Sequence, residues 1–515
     1  MYVPMTWVAR ATTRVAVGAA ACAAVCAAGC ASGPAYRTPK TDAPAHFAAG
    51  PRVDTSANVD LAAWWKSLED PELDALVERA VKSNFDLEIA LTRLQQARTY
   101  EAVVVGRALP EVDASAAAGR GTGSDLTRGR AAQPLVSADS ANGLHHINTL
   151  VGFDAVWELD VFGKYRRAFQ AARADSQAEL AARNGVLTSV VANVVRAYVD
   201  LRGLQIQAGI LRQASDVLRE SLRIVKLRYE RGITNELDVA LATRELDTLQ
   251  AQIMPVEAQV SAAEYTLAVL LGDYPESLAQ ELAKPTLIPS MPGPVAPGIP
   301  VDLLKRRPDI QQAERQLAAA TARIGVATAN LFPQVGLVTA IGSQAQGWGT
   351  TPNLGKHIWS FGPSALWPLL DFGALDAQVD IADLQAHLQA VNYRRAIVNA
   401  VQEVDTALDG YAAQQDRMKN LGDAMLAGQR AVDLANERYN RGLTDFLNVV
   451  DAERQFYDLQ RQYADAQVAQ GEQFVQLYKS LGGGWQNFQT IPAIRRPQPA
   501  IIAAFRRVLS TSSAP

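Results

Sequence analysis

The sequence predicts a mixed α and β membrane protein built twice in tandem, each copy joining a hairpin of short amphipathic strands to a very long helical hairpin. Three observations carry this. Each half holds about 120 residues free of proline with coiled-coil periodicity. Strict alternation of apolar and other residues precedes each of these stretches. Most motifs recur at a constant offset of 210 residues. At 515 residues, 48% hydrophobic and 20% charged, the chain is too long for one compact core, and its apolar fraction is that of a folded protein. A formal net charge of −4 offers no basic footprint, so nucleic acid is not an expected partner.

Residues 1–29 read as a signal peptide. Arg10 and Arg14 supply a positive start, and Val15 to Gly29 form a small-residue apolar stretch too short and alanine-rich for a membrane helix. The segment ends Ala27-Ala28-Gly29-Cys30, which resembles a bacterial lipobox with alanine where leucine is preferred. Cys30 is therefore the expected lipidation site and starts a lipid-anchored segment, 30–65. Cys22 and Cys26 would leave with the signal, so neither a disulfide within the chain nor a thiol metal cluster is available. From Cys30 onward no run reaches the ~18 apolar residues of a spanning helix. A membrane is reached by lipid or by strands.

Repeat 1 covers 66–284 and repeat 2 covers 301–484. Arg228-Tyr229-Glu230-Arg231-Gly232-Ile233-Thr234 returns as Arg438-Tyr439-Asn440-Arg441-Gly442-Leu443-Thr444. Leu237 and Leu447, Trp157 and Trp367, Phe162-Gly163 and Phe372-Gly373 keep the same spacing. Farther upstream the offset becomes 223, as in Asp86 with Asp309 and Pro110 with Pro333. The extra residues of repeat 1 are placed in Gly119 to His146, a Gly-, Ser- and Asn-containing stretch that reads as an exposed loop. Six prolines in 285–300 mark a stiff linker.

In the long stretches apolar residues step by four and three: Leu187, Val191, Val194, Tyr198, Leu201, then Leu218, Leu222, Val225, Tyr229. A single helix from Lys164 to Tyr229 would reach ~100 Å. Gly232 and Gly442 break the rods, giving helical hairpins with turns near 232 and 442. A structural scaffold is the plain reading of such rods.

The strands point elsewhere. The β-hairpins are expected in 110–161 and 333–371. Val151, Phe153, Ala155, Trp157, Leu159 and Val161 form one apolar face; Trp359, Phe361, Pro363, Ala365, Trp367 and Leu369 form its equivalent. Strands of ~9–11 residues, apolar outward, are those of outer-membrane barrels. A sheet edge does not survive in hydrocarbon, and four strands cannot enclose a lumen. The strands must be shared between subunits, eight in a dimer or twelve in a trimer, the trimer leaving the wider opening.

Leu303-Leu304-Lys305-Arg306-Arg307-Pro308-Asp309-Ile310-Gln311-Gln312-Ala313-Glu314, with Phe332-Pro333, Trp64-Trp65, Asp70-Pro71, Leu237-Asp238-Val239 and the closing Leu481-Gly482-Gly483-Gly484-Trp485, resembles outer-membrane efflux lipoproteins of the TolC/OprM-like family. The resemblance spans about Tyr36 to Trp485; the tail, 485–515, has no assigned role. It implies a trimeric 12-stranded outer-membrane β-barrel, four strands per subunit, continued by a long periplasmic α-helical barrel. It also implies work as the exit duct of a tripartite efflux system, passing drugs or toxic compounds to the exterior. The implied partners are two sister subunits, outer-membrane lipid, a periplasmic adaptor protein and an inner-membrane RND-type transporter. A protein-secretion duct and a structural periplasmic coiled-coil lipoprotein are the alternatives.

By the same resemblance the hairpin tips hold the gate. Asp451 matches one acidic pore site, Asn448 stands uncharged at another, and Asp238 lies in the matching segment of repeat 1. Tyr229, Tyr439, Arg228 and Arg438 are candidates to latch neighbouring helices by hydrogen bonds and ion pairs. Gly232, Thr234, Gly442 and Thr444 would meet the adaptor. No catalytic motif is present: the five histidines lack metal-ligand spacing, and no phosphate loop, nucleophile elbow or dinucleotide fingerprint occurs. The chain reads as a passive, non-enzymatic duct without cofactor or metal, apart from covalent lipid such as palmitate on Cys30.

Overall fold

The computed structural model describes residues 32–40, 44, 46–48, 61–120, 147–278, 280–291, 303, 306–347 and 356–490. Cys30, most of the Gly119 to His146 loop, linker residues 292–300 and the tail beyond Thr490 lie outside the described residues. Seven α-helices are described: α1 Pro71–Ser83, α2 Phe85–Arg107, α3 Lys164–Glu230, α4 Glu236–Leu270, α5 Pro308–Ala329, α6 Ala374–Asn440 and α7 Phe446–Ser480. Four strands join them: β1 Glu111–Arg120, β2 Ile147–Leu159, β3 Gln334–Gly347 and β4 Lys356–Leu366.

The duplication reappears as geometry. Helices α3 and α6 are both 67 residues long, α4 and α7 both 35, and their bounds differ by the same 210 positions. Each long helix starts behind a left-handed glycine, Gly163 (φ 81°) or Gly373 (φ 84°), a conformation that costs glycine little. At ~1.5 Å per residue, α3 and α6 extend ~100 Å. In repeat 1, α2 and then α4 pack along α3; in repeat 2, α5 and then α7 pack along α6. Two short helices placed end to end thus cover one long one.

The seam residues Leu187, Val191, Val194, Tyr198, Leu201, Leu218, Leu222 and Val225 are all buried. Tyr229 departs from the expected seam: it is 44% exposed. The helix ends one residue later, so no following turn covers it.

The sheet runs β1-β2-β3-β4, all antiparallel, and the two repeats meet at the β2–β3 pairing. One rung reads Ala114, Phe153, Ile341, Trp359; the next reads Val112, Ala155, Thr339, Phe361. Phe153, Ile341, Trp359 and Phe361 are exposed. On the opposite face Asp113 pairs with Asp154 and Ala340 with Ser360. Val161, Trp367 and Leu369 fall outside the strands, which end at Leu159 and Leu366. Pro368, lacking an N–H, cannot continue the ladder. Trp157 and Trp367 nonetheless play equivalent parts, each indole donating to a carbonyl behind the preceding helix, Ala108 at 3.0 Å and Leu331 at 3.1 Å.

Midway along the rods lies the largest core, built on Trp64, Trp65, Leu73, Leu76, Tyr198, Phe474 and Tyr478. Arg202 is fully buried there. It pairs with Glu72 and donates to Gln205 (2.7 Å) and the Lys284 carbonyl (3.1 Å). The Tyr198 hydroxyl donates to Asp70 at 2.7 Å. This network ties α1 and the start of the linker to α3.

A second tie holds the N-terminal segment at the junction of sheet and helices. The Ser32 N–H donates to the Phe162 carbonyl (3.1 Å), and buried Arg167 donates to the carbonyls of Ser32 and Gly33, both at 2.9 Å. Gly325 makes room: a Cβ there would lie 2.7 Å from the Ser32 oxygen and 2.8 Å from Arg167 Cγ. Gly325→Ala should therefore detach residues 32–36 while leaving the long helices folded. Hydrogen exchange should show lost protection at the Ser32 amide; an unchanged rate would refute this account of the strap.

Candidate functional site

At the end of the rods opposite the sheet, two tight turns reverse the chain. Gly232 (φ 69°) and Gly442 (φ 70°) take the left-handed position that ends the helix. The Gly232 and Gly442 amides donate to the Tyr229 and Tyr439 carbonyls at 2.9 and 3.0 Å. Ile233 and Leu443 donate to Arg228 and Arg438, both at 2.9 Å. Both glycines are exposed with open space around them. Thr234 and Thr444 follow, half-buried.

The structure brings two of the four latch candidates together. Tyr439, at the end of α6, is 8% exposed and packs with Leu222 and Val225 of α3, Ala242 of α4 and Phe446 and Val449 of α7. Its ring lies 5.2 Å from that of Phe446, and the Arg228 guanidinium stands 4.5 Å from its centroid. The contact differs from the expected hydrogen bond. The Tyr439 hydroxyl has no well-formed partner among the described residues, and the cation rests on the ring face. Burial raises the Tyr439 pKa, Arg228 opposes the rise and Asp238 adds to it. Tyr229 and Arg438 are exposed and do not join this cluster.

The acidic candidates stay apart. Asp238 accepts the Thr234 hydroxyl and the Asn235-capped turn holds its amide at 3.1 Å. At the equivalent position Asn448 donates to the Thr444 hydroxyl at 2.6 Å, so repeat 2 keeps the local bond without the charge. Asp451 is exposed; it accepts from Gln455 (2.7 Å) and lies 3.9 Å from Arg454, both on its own helix. Exposed pairs of this kind contribute ~0–1 kcal/mol.

Sequence reasoning missed Phe446 and Glu453. Their counterparts 210 residues earlier are Glu236 and Thr243, so departures from the repeat were the available signal. Glu453 is 3% exposed, and one carboxylate oxygen has no hydrogen-bond partner among the described residues. Burial raises its pKa, with the Asn436 amide giving only partial relief. The folded state thus holds this proton to higher pH than the unfolded chain. The strain is absent below the unfolded carboxyl pKa and appears as pH rises through the folded one. Glu453→Gln should raise stability at about pH 7.5 by on the order of 1 kcal/mol and leave it unchanged at about pH 4. Melting curves of the detergent-purified protein at the two pH values test this.

Comparison with known proteins agrees with this architecture. The family model for outer membrane efflux proteins matches residues 76–273 and 299–483, the two repeats in turn. The chain is 31% identical over 451 residues to the pyoverdine export outer membrane protein OpmQ of Pseudomonas aeruginosa, covering 86% of this chain and 90% of that one. It is 29% identical over 453 residues to nodulation protein T of Rhizobium leguminosarum bv. trifolii, covering 88% and 94%. Among solved structures, the outer-membrane channel OprN aligns with a TM-score of 0.79 at 35% identity, covering 89% of this chain and all of that one. Its fold is thus that of the channels that combine an outer-membrane β-barrel with a helical barrel. With both repeats matched, the chain belongs to the outer membrane efflux protein family.

Proposed function

We propose that three copies of this chain form the outer-membrane exit duct of a tripartite efflux system. The sheet carries the reading. Its outward rungs are apolar and exposed, and β1 and β4 are each paired on one side only. Unpaired backbone groups cost several kcal/mol each in hydrocarbon, so β4 of one subunit must meet β1 of the next. Three subunits then close twelve strands around an open lumen, and the rods extend the lumen through the periplasm.

Cargo is read from the relatives' names, which speak of toluene, antibiotic and pyoverdine export. These favour small molecules over secreted proteins. Energy comes from an inner-membrane RND-type transporter through a periplasmic adaptor, which meets the exposed turns at Gly232, Thr234, Gly442 and Thr444. The position of the N-terminal strap supports lipid on Cys30. Ser32, two residues after Cys30 in the sequence, is bonded to Phe162, between β2 and α3. Radiolabelled palmitate should enter the wild-type protein and be absent from Cys30→Ser.

The tip cluster is the gate. Within one chain Arg228 of repeat 1 rests on Tyr439 of repeat 2. Advancing this pair by one repeat gives Arg438 on Tyr229 of the next subunit, the two candidates that a single chain leaves exposed. Six alternating contacts then close the ring, and adaptor docking loosens them. Single-channel recording in planar bilayers tests duct and gate together. Wild type should conduct weakly and Arg228→Ala/Arg438→Ala severalfold more. Tyr439→Phe should match wild type, because the ring and not the hydroxyl makes the contact. A complete absence of conductance in every variant would refute the duct. Elevated current in Tyr439→Phe would refute the ring contact as the latch.

A further inference from the structure

Four arginines are buried among the described residues; two of them, Arg202 and Arg307, meet carboxylates, and three of them, with Arg167, make several polar contacts each. Arg202 meets Glu72, Gln205 and the Lys284 carbonyl. Arg307 meets Asp309, Glu403 and the Ser480 carbonyl. Arg167 meets Gln170 and two backbone carbonyls. Arg183, on α3, is the exception. It is 7% exposed, and its one hydrogen bond is to the side chain of the adjacent Asn184, at 3.1 Å. Burial alone pulls its pKa down; no carboxylate lies near enough to oppose the shift. A buried cation without an anion is costly, and chains keep one mainly where something else supplies the charge.

Arg183 lines a cavity of about 480 Å³ between α3 and α5, within the ~300–1,000 Å³ typical of small-molecule sites. Its lining combines amides and apolar surface: Asn184 and Gln177 with Arg183, and Leu180, Ala181 and Trp485. Glu314 also borders the cavity, but its carboxylate is paired with Arg315 and accepts from Tyr36 and Thr38. The guanidinium fork is therefore the uncompensated charge of the site.

We propose that this cavity binds a small organic carboxylate with an apolar body, its anion held by Arg183 and its body lying against Leu180, Ala181 and Trp485. Arg183 offers a planar pair of N–H donors matched to a carboxylate, and the apolar wall favours an organic anion over free phosphate. Because α3 belongs to repeat 1 and α5 to repeat 2, a bound ligand would bridge the repeats beside Trp485. Arg183 lies far along α3 from the tips, and the site's existence does not depend on the gating account.

Titration calorimetry on the full-length protein in detergent, with benzoate as probe, tests the proposal. Benzoate should bind saturably at one site per chain, benzamide should fail for want of charge, and inorganic phosphate should bind more weakly than benzoate. Arg183→Met should weaken benzoate binding about tenfold or more, the loss expected for a charge-assisted contact. If Arg183→Met does not fold, Arg183→Lys should still bind benzoate, more weakly than wild type, because it keeps the charge and loses the fork. As an independent check, benzoate should raise the melting temperature of wild type and leave that of Arg183→Met unmoved. Equal binding of benzamide, phosphate tighter than benzoate, unaltered affinity in both Arg183 variants, or no saturable benzoate binding would each overturn it.

Discussion

The unpaired edges of β1 and β4, on a sheet whose outward face is apolar, constrain everything else in this molecule. One chain cannot satisfy its own backbone in lipid, so its fold is one sector of a ring. The helices inherit that condition. Neighbouring strands fix where each rod leaves the barrel, and the rods must then pack side by side over ~100 Å with no globular core to gather them. Stability accordingly collects in a few places: the seam of each helix pair, the aromatic waist around Trp64 and Tyr478, and the strap at Arg167.

The waist resolves a geometrical conflict. Each 67-residue helix is covered by two shorter ones, leaving a break midway where backbone groups lose their helical partners. Asp70 and Asn84 cap the helices that begin there, accepting from Glu72 and Leu73 and from Leu87. Arg202, beneath Tyr198, binds the Lys284 carbonyl, in the segment that leads from α4 toward α5, at the same level. Polar groups enter this core because the break in the rods requires them, and each of those bonds answers a helix end or a crossing segment.

Much of this was legible before any coordinates. The 210-residue offset carried the helix bounds themselves, because positions that match in a duplicated sequence fold into matching elements. Alternation revealed Phe153, Trp359 and Phe361 as the outward face, since a strand has only two sides. Less legible was whatever depended on chain ends and on crossings. Tyr229 fits the heptad yet is exposed, because periodicity does not register that the helix stops at Glu230. The meeting of Arg228 with Tyr439 spans 211 positions, and the use of the ring instead of the hydroxyl is a matter of side-chain approach. Glu453 and Arg183 resemble ordinary polar positions on a helix; only packing shows that they are buried.

The equal lengths of α3 and α6, and of α4 and α7, set a strict rule for how such a chain can change. Inserting one residue within a rod turns everything below it by ~100° and lowers it by ~1.5 Å. Arg228 would then swing off the Tyr439 ring and the waist aromatics would lose register. Side chains are free to drift, but the count of residues between the two ends of each rod is not. A matched pair of insertions, one per helix of a hairpin and each a whole number of turns, is the variation the architecture admits.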